Sequence, residues 1–457
     1  MRHDERRVSA RRSSVRIGCG AGMSDDRIGP AADLVERGEL DVIVFECLAE
    51  RTIARETLAR SRDPERGYTP TMAARLRAVL PACRRHGVRI VTNMGAANPS
   101  AGARLAQREA KDLGLPGISC AVVKGDDVTD LLRGMGSLPL LETGEPLESI
   151  LPDMASANAY LGADVVAAAM DTGADVVVTG RVADPSLFVG PLIHYFGWSG
   201  ADLHQLAAGT IAGHLLECSA QVTGGCFADP GRKEVPGLSD LGYPFAEIDT
   251  DGRVVLSKTP GSGGRLDRAT CTEQLLYEIH DPAAYLTPDC VLDITDVDFV
   301  QRGPDRVEVR GAAARPPTSS YKVVVGYFDG FIGSGEITFA GINAVERARL
   351  GADLVQQRLA RRGLAYSETR IDLIGMTSLH GRDDGRGAPY EVRLRVAART
   401  TSRAAAAAVG AEVRSLHMQG PASAGGGIDQ GVQEVLAVKS VLLPRHLVTP
   451  SVEFMAA

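Results

Sequence analysis

Residues 15–51 read VRIGCGAGMSDDRIGPAADLVERGELDVIVFECLAER, and four elements follow one another in them with little to spare. VRIGCG at 15–20 is a short apolar strand. The glycine-rich loop contributes Gly18, Gly20, Gly22, Asp25, Asp26 and Arg27. An amphipathic helix over 28–38 ends at Gly38, and a second strand, DVIVFE at 41–46, ends in Glu46. Apolar strands joined through a helix form a βαβ-type unit, whose ligands collect beyond the carboxyl ends of the strands. The polar residues of this stretch belong to that edge.

The phrase repeats downstream. Strands are expected at 88–93, 118–123 and 175–180, and helices at 48–60, 70–86, 100–113, 154–173 and 200–217, with Gly87, Gly114 and Gly173 placed as helix-terminating glycines. Nearly unbroken β-branched strands alternating with helices predict a doubly wound α/β domain with a mainly parallel sheet over 15–235. From 236 onward hairpin signals appear, as in FAEIDTDGRVVLSK with Asp251-Gly252 at its turn, so 236–457 is expected to be an α+β domain with antiparallel strands. GPASAGGGIDQG at 420–431 reads as a loop, and residues 1–14, arginine-rich without an apolar run, as a disordered tail rather than a secretory signal.

Composition narrows the function classes. With 50 Lys+Arg against 57 Asp+Glu the net charge is −7, which supplies no basic field for a nucleic-acid backbone. No run approaches the roughly 18 apolar residues of a membrane span. The eight cysteines form no CxxC pair, several lie in apolar strand patterns, and a reducing cytoplasm is expected. A homo-oligomer acting on a small molecule is the expected setting.

The segments GAGMSDDRIGPA, LDVIVFECLAERT, TNMGAANP, DVVVTGRVADPSLFVGPLIHYFGW, CSAQVTGG and GSGEITFAG occur in this order between residues 15 and 430. Together they resemble the acyclic terpene utilisation A (AtuA) family. The resemblance implies a setting in which acyclic terpenes such as citronellol and geraniol are degraded through coenzyme A thioesters, and it includes the Asp26-Arg27 pair.

Several residues are candidates for chemistry. Glu46, at the end of the second strand, suits a general base, with an ion pair to Arg27 or Arg51 as the alternative role. Arg27 and Arg181 suit bidentate recognition of a carboxylate or phosphate. Asn93 and the amides around Gly95 can hold a carbonyl as charge develops on it, and Gly180 permits close backbone approach. Asp25 and Asp26 are also placed to cap the following helix, and Asn98-Pro99 to start another. Glu336, in GSGEITFAG, is a further catalytic candidate, with an exposed bulged turn as its alternative. His194, His204 and His214 do not stack on one helical face and predict no metal site, while Asp296 and Asp298 suit a cation no better than a solvated strand edge. Cys19 and Cys47 flank the site without a base partner.

The expected activity is that of an enzyme acting on a carboxylate or acyl-CoA thioester, of lyase or hydro-lyase type, through proton abstraction next to a carbonyl. No motif points to a particular cofactor. Two alternatives stand beside it: a noncatalytic acyl-binding or accessory subunit, and an NAD(P)-dependent oxidoreductase. For the latter, Gly18, Gly20 and Gly22 resemble the dinucleotide fingerprint, but Met23 stands in the third glycine's place.

Overall fold

The computed structural model describes residues 13–383, 385, 387–422 and 424–457. Most of the expected tail therefore lies outside the described residues, and its last residue, Ser14, already belongs to the first strand. The opening alternation is β1 (Ser14–Ala21), α1 (Gly29–Arg37), β2 (Val42–Phe45), α2 (Glu50–Arg62), α3 (Met72–His86), β3 (Arg89–Thr92), α4 (Pro99–Asp112) and β4 (Cys120–Lys124). Gly87 closes α3 in the left-handed region, at φ 69°, and its N–H donates to Cys83 O, as a terminating glycine does.

α5 (Thr129–Arg133), β5 (Met154–Ala159), α6 (Ala163–Asp171), β6 (Val176–Val178), α7 (Ser186–Phe196) and α8 (Leu203–Glu217) come next. The helix expected over 154–173 is thus a strand followed by a shorter helix. MASANA carries small side chains that suit a helix equally well, and pairing decides the outcome, because β5 lies against β14 (Ser320–Ala340). β7 (Pro244–Asp249) and β8 (Val254–Lys258) form the hairpin signalled by Asp251-Gly252. They are followed by α9 (Arg268–Leu276), β9 (Tyr285–Leu286), β10 (Val291–Asp293), β11 (Asp298–Gly303), β12 (Arg306–Arg310) and β13 (Ala313–Arg315). After β14 the chain continues through α10 (Ala344–Arg361), β15 (Glu368–Ile374), β16 (Glu391–Thr400), α11 (Arg403–Gln419), β17 (Gly426–Pro444) and β18 (Ser451–Met455). Because β17 starts at Gly426, half of the loop expected over 420–431 is strand.

The large sheet has ten strands in the order β11-β12-β8-β7-β1-β2-β3-β6-β4-β18. β1, β2, β3, β6 and β4 pair in parallel, whereas β7, β8, β12, β11 and β18 add antiparallel strands at the two sides. The sheet is therefore mixed, with a parallel centre, rather than mainly parallel. Alternate side chains feed two apolar layers. Ile43, Phe45, Ile90, Val122 and Val176 pack with residues of α1, α3 and α4, and Val44, Val91, Ala121 and Val177 with residues of α6, α7 and α8.

Contacts divide the chain into Met1–Gly326 with Val438–Ala457, and Tyr327–Ala437. The expected boundary at 235/236 moves to 326/327, because β7 pairs with β1 from Ser14↔Asp249 to Gly18↔Phe245 and carries its hairpin into the large sheet. Local hairpin chemistry marks strands but does not reveal which edge they complete. In the smaller unit, β15, β16 and β14 pair antiparallel over a core that includes Ile337, Phe339, Val355, Leu394, Val409 and Val413. A Cβ on Gly333 would meet Ala406 O at 1.8 Å and one on Gly335 would meet Val413 Cβ at 2.6 Å, so these glycines let α11 lie directly on β14. No helix among the described residues is long and apolar enough to cross a membrane.

Gly18 and Gly20 lie within β1 rather than in a loop. A Cβ on Gly20 would stand 2.5 Å from the Phe45 ring, which is wholly buried. Gly20→Ala is therefore expected to lower stability by about 1–3 kcal/mol through overpacking. Urea unfolding should show a reduced midpoint at unchanged slope, and an unaltered midpoint would remove this packing role.

Candidate active site

Loops from all five parallel strands end on the same edge of the sheet, as the shared strand direction requires. β2 delivers Glu46 and β3 delivers Asn93, and the two side chains meet. Asn93 Nδ2 donates to Glu46 Oε1 at 3.0 Å, and Asn93 Oδ1 accepts from Cys47 N at 2.8 Å. Leu48 N also donates to Oε1, at 2.9 Å. One carboxylate oxygen is thus held by two donors, while Oε2 has no hydrogen-bond partner among the described residues. Asn93 is itself fully buried, so its amide is fixed by the backbone it serves.

The loop after β6 delivers Arg181, whose guanidinium is 1 % exposed and fully engaged. It donates to Leu48 O, to Asp184, and to Val182 O from Nη2 at 2.8 Å, and its carbon lies 4.4 Å from the centre of the Tyr160 ring. Tyr160 Oη donates to Glu50 at 2.8 Å, and Lys322 Nζ is 3.6 Å from the same carboxylate. From the loop after β4, Asp126 accepts from Arg181 N at 2.8 Å and from Asn158 Nδ2 at 3.0 Å. Gly180 is a glycine because a Cβ there would stand 2.6 Å from the Asp126 carboxylate oxygens.

Burial and the like charge of Asp184 push Glu46 from 4.5 up to about 8, against the lowering effects of Arg181, Asn93 and the Leu48 N–H. Burial likewise raises Asp126 to about 6 and moves Asp184 upward, the latter opposed by Arg181. Glu50 goes the other way: burial opposes its charge, but Tyr160, Arg181 and Lys322 outweigh that and hold it below its ordinary value. The edge therefore carries a proton-accepting group in the neutral range beside one that stays ionised. That separation is what acid–base work requires.

Over residues 15–454 the chain matches the family model described as acyclic terpene utilisation family protein AtuA. The chain belongs to the AtuA family. No curated protein and no solved structure matches it.

Not every candidate of the AtuA-like segments reaches this cluster. Arg27 is exposed and donates from Nη1 to Ser239 O at 3.0 Å, so it pairs with neither Glu46 nor Asp26. Asp26 organises its own loop, accepting from Tyr243 Oη at 2.6 Å, Arg27 N at 2.7 Å and Gly22 N at 3.1 Å. It caps no helix: α1, whose N-cap is Ile28, has no side-chain cap, whereas Asn98 does cap α4, accepting from Ala101 N. A Cβ on Gly18 would strike Leu40 and Leu34, one on Gly22 the backbone of Cys218, and one on Gly95 the carbonyl of Thr179. The glycines thus serve close packing, and with Gly18 and Gly20 inside β1 no dinucleotide-type loop is formed. Arg181 is committed to protein groups rather than left for an anion.

Glu336 lies in the smaller unit, 3.2 Å from Arg393 and 3.7 Å from Arg395. His194 contacts Asp171 and Arg89. No group of His, Cys, Asp and Glu among the described residues is arranged to hold a metal ion. All eight cysteines are free, and burial raises both Cys19 and Cys47 far from the thiolate form. Asp126, Tyr160 and Asp184 were not singled out for chemistry from the sequence. Asp184 lies just before α7, and Tyr160 follows the strand formed by MASANA.

A carboxyl whose folded pKa lies above its unfolded value favours the folded state below about 4.5 and loses that advantage as pH rises to about 8. Glu46→Gln removes this penalty, so its melting temperature should rise relative to the unaltered protein from pH 5 to pH 9. A difference that stays flat with pH would show that Glu46 is not held protonated.

Proposed function

We propose that this AtuA-family chain is an enzyme that removes a proton next to the carbonyl of a carboxylate or coenzyme A thioester, in hydration, dehydration or carbon–carbon lyase chemistry. Family membership supports a role in acyclic terpene utilisation. The observation that carries the chemical reading is Glu46: Oε1 is fixed by Leu48 N and Asn93 Nδ2, Oε2 is uncommitted, and the carboxyl is pushed up to about 8. A base gains strength as its pKa rises, and one near 8 is still about one-tenth ionised at pH 7.

The chemistry also needs donors for the oxygen that gains charge as the proton leaves. α2 begins at Glu50, four residues beyond Glu46, and its N-cap Ala49 supplies no side-chain oxygen. Thr52 N already donates to Ala49 O at 3.0 Å and the Glu50 N–H serves its own carboxylate, which leaves the N–H of Arg51 for an enolate-like oxygen, with the helix dipole in the favourable sense. Arg181 acts on Glu46 through position and charge. By holding Leu48 O it keeps the segment between β2 and α2 in place, and its positive charge limits how far Glu46 is raised.

Deuterium exchange from solvent into the position next to the carbonyl tests this reading, with thioesters derived from citronellol and geraniol as probes. Glu46→Gln should slow exchange by about 10²–10⁴-fold with the fold intact. Unchanged exchange would take Glu46 out of the mechanism. Asn93→Ala removes a hydrogen bond that lowers the Glu46 pKa, so the alkaline rise of the exchange rate should move to higher pH. A shift to lower pH, or none, would contradict that assignment.

A further inference from the structure

α8 ends at Glu217, and its last turn meets the loop that leaves β1: Cys19 Sγ is 3.8 Å from Glu217 O, and a Cβ on Gly22 would stand 2.9 Å from that oxygen. One turn earlier, the side chain of His214 is 1 % exposed. Its Nδ1 lies 3.2 Å from Glu217 Oε1 and its Nε2 lies 3.1 Å from Leu275 O. A carbonyl only accepts, so Nε2 carries a proton and donates to Leu275. Nδ1 and Glu217 Oε1 then share one further proton, and a carboxyl proton carried on Oε2 is additional to it, with Nδ1–H donating to Oε1 in that form.

The other carboxyl oxygen decides what the pair is for. Glu217 Oε2 is enclosed and has no hydrogen-bond partner among the described residues. An enclosed, unmatched carboxyl oxygen is costly, and such groups persist where a ligand or a transferring proton uses them. The titratable neighbours come from several elements. They are His214 on α8, Cys218 just beyond it, Asp184 between β6 and α7, Glu278 after α9, and Tyr285 on β9, whose ring centre is 5.3 Å from that of His214. Asp184 is also the carboxylate that raises Glu46, so both groups answer to one charge. Burial pushes Glu217 up to about 7, with Asp184 and Glu278 adding to the rise and His214 opposing it.

We propose that Glu217, oriented by His214, is the second proton-transfer residue of this site and that its Oε2 protonates the group that departs when Glu46 takes the proton next to the carbonyl. The assignment rests on the proton abstraction proposed for Glu46. In a dehydration, the Glu46 carboxylate takes the α-proton and the C–H electron pair becomes the new carbon–carbon double bond. The bond from the β-carbon to its hydroxyl breaks, and that hydroxyl leaves as water with the proton from the Glu217 carboxylic acid. Glu46 ends protonated and Glu217 ionised, and exchange with solvent restores both. His214 is a positioning residue that shares its proton with Glu217.

The two halves of this reaction are separable by experiment. With thioester probes bearing a hydroxyl on the β-carbon, derived from citronellol or geraniol, α-deuterium exchange reports Glu46 and net loss of water reports both residues. Glu217→Gln is expected to cut kcat for dehydration at least a hundred-fold while exchange falls far less. Glu46→Gln is expected to abolish both. Glu217→Asp, which keeps the charge, guards against a folding defect and should retain part of the dehydration. His214→Gln should displace the pH optimum of dehydration but not that of exchange. Dehydration that survives in a folded Glu217→Gln, or exchange and dehydration lost in equal measure, overturns the role of Glu217 and leaves that of Glu46 standing. Absence of exchange in the unaltered protein with every probe overturns both.

Discussion

The buried guanidinium of Arg181 is the tie on which the rest of the site depends. It reaches from the loop after β6 to Leu48 O after β2, joins Asp184, and rests on Tyr160, which in turn holds Glu50 at the start of α2. Three loops that lie far apart in sequence thereby acquire one geometry. Taking such a charge out of water is expensive, and only its full set of acceptors makes the position tolerable. A lysine there would keep the charge but lose the planar fork that serves two carbonyls and a carboxylate together.

Around that tie two of the buried carboxyl groups, Asp184 and Glu217, meet a base, Arg181 and His214, while Glu46 and Asp126 meet none. Glu46, Asp126, Asp184 and Glu217 are all raised by burial, and only Asp184 faces Arg181 directly. By contrast, Glu308, at the far side of the sheet, is bound by Arg302, Arg310 and Arg253 and held down to about 2. The molecule thus contains both arrangements. Where stability alone is at stake, acids meet arginines, and at the carboxyl edge acids are kept short of partners at a cost the remaining fold absorbs.

Much of this was legible in residue order. The parallel strands and their helices follow from continuous apolar runs closed by glycine, and Glu46 and Asn93 follow from the rule that loops after parallel strands share an edge. Pairing partners distant in the chain were not legible. β7 reads as a hairpin strand whatever it borders, and only the structure shows it completing β1. Glycine was ambiguous for a related reason: the same residue type answers a need for ligand approach and a need for close packing, and at Gly18, Gly20 and Gly22 packing is the need. Arg27 and Arg181 had equal claims as charges, but burial separates them, one lying at the surface and one sealed inside.

β1 is parallel to β2 on one side and antiparallel to β7 on the other, while β4 takes β18 as its antiparallel neighbour. Both edges of the parallel centre are therefore covered by strands made much later, β7 from residue 244 and β18 from residue 451. During synthesis the five central strands can associate before either cover exists, leaving two open strand edges on the nascent chain. With the smaller unit intervening between β7 and β18, the second edge waits longest. The order of translation thus leaves the pairing groups on that side of β4 unmatched until residues 451–455 have been made.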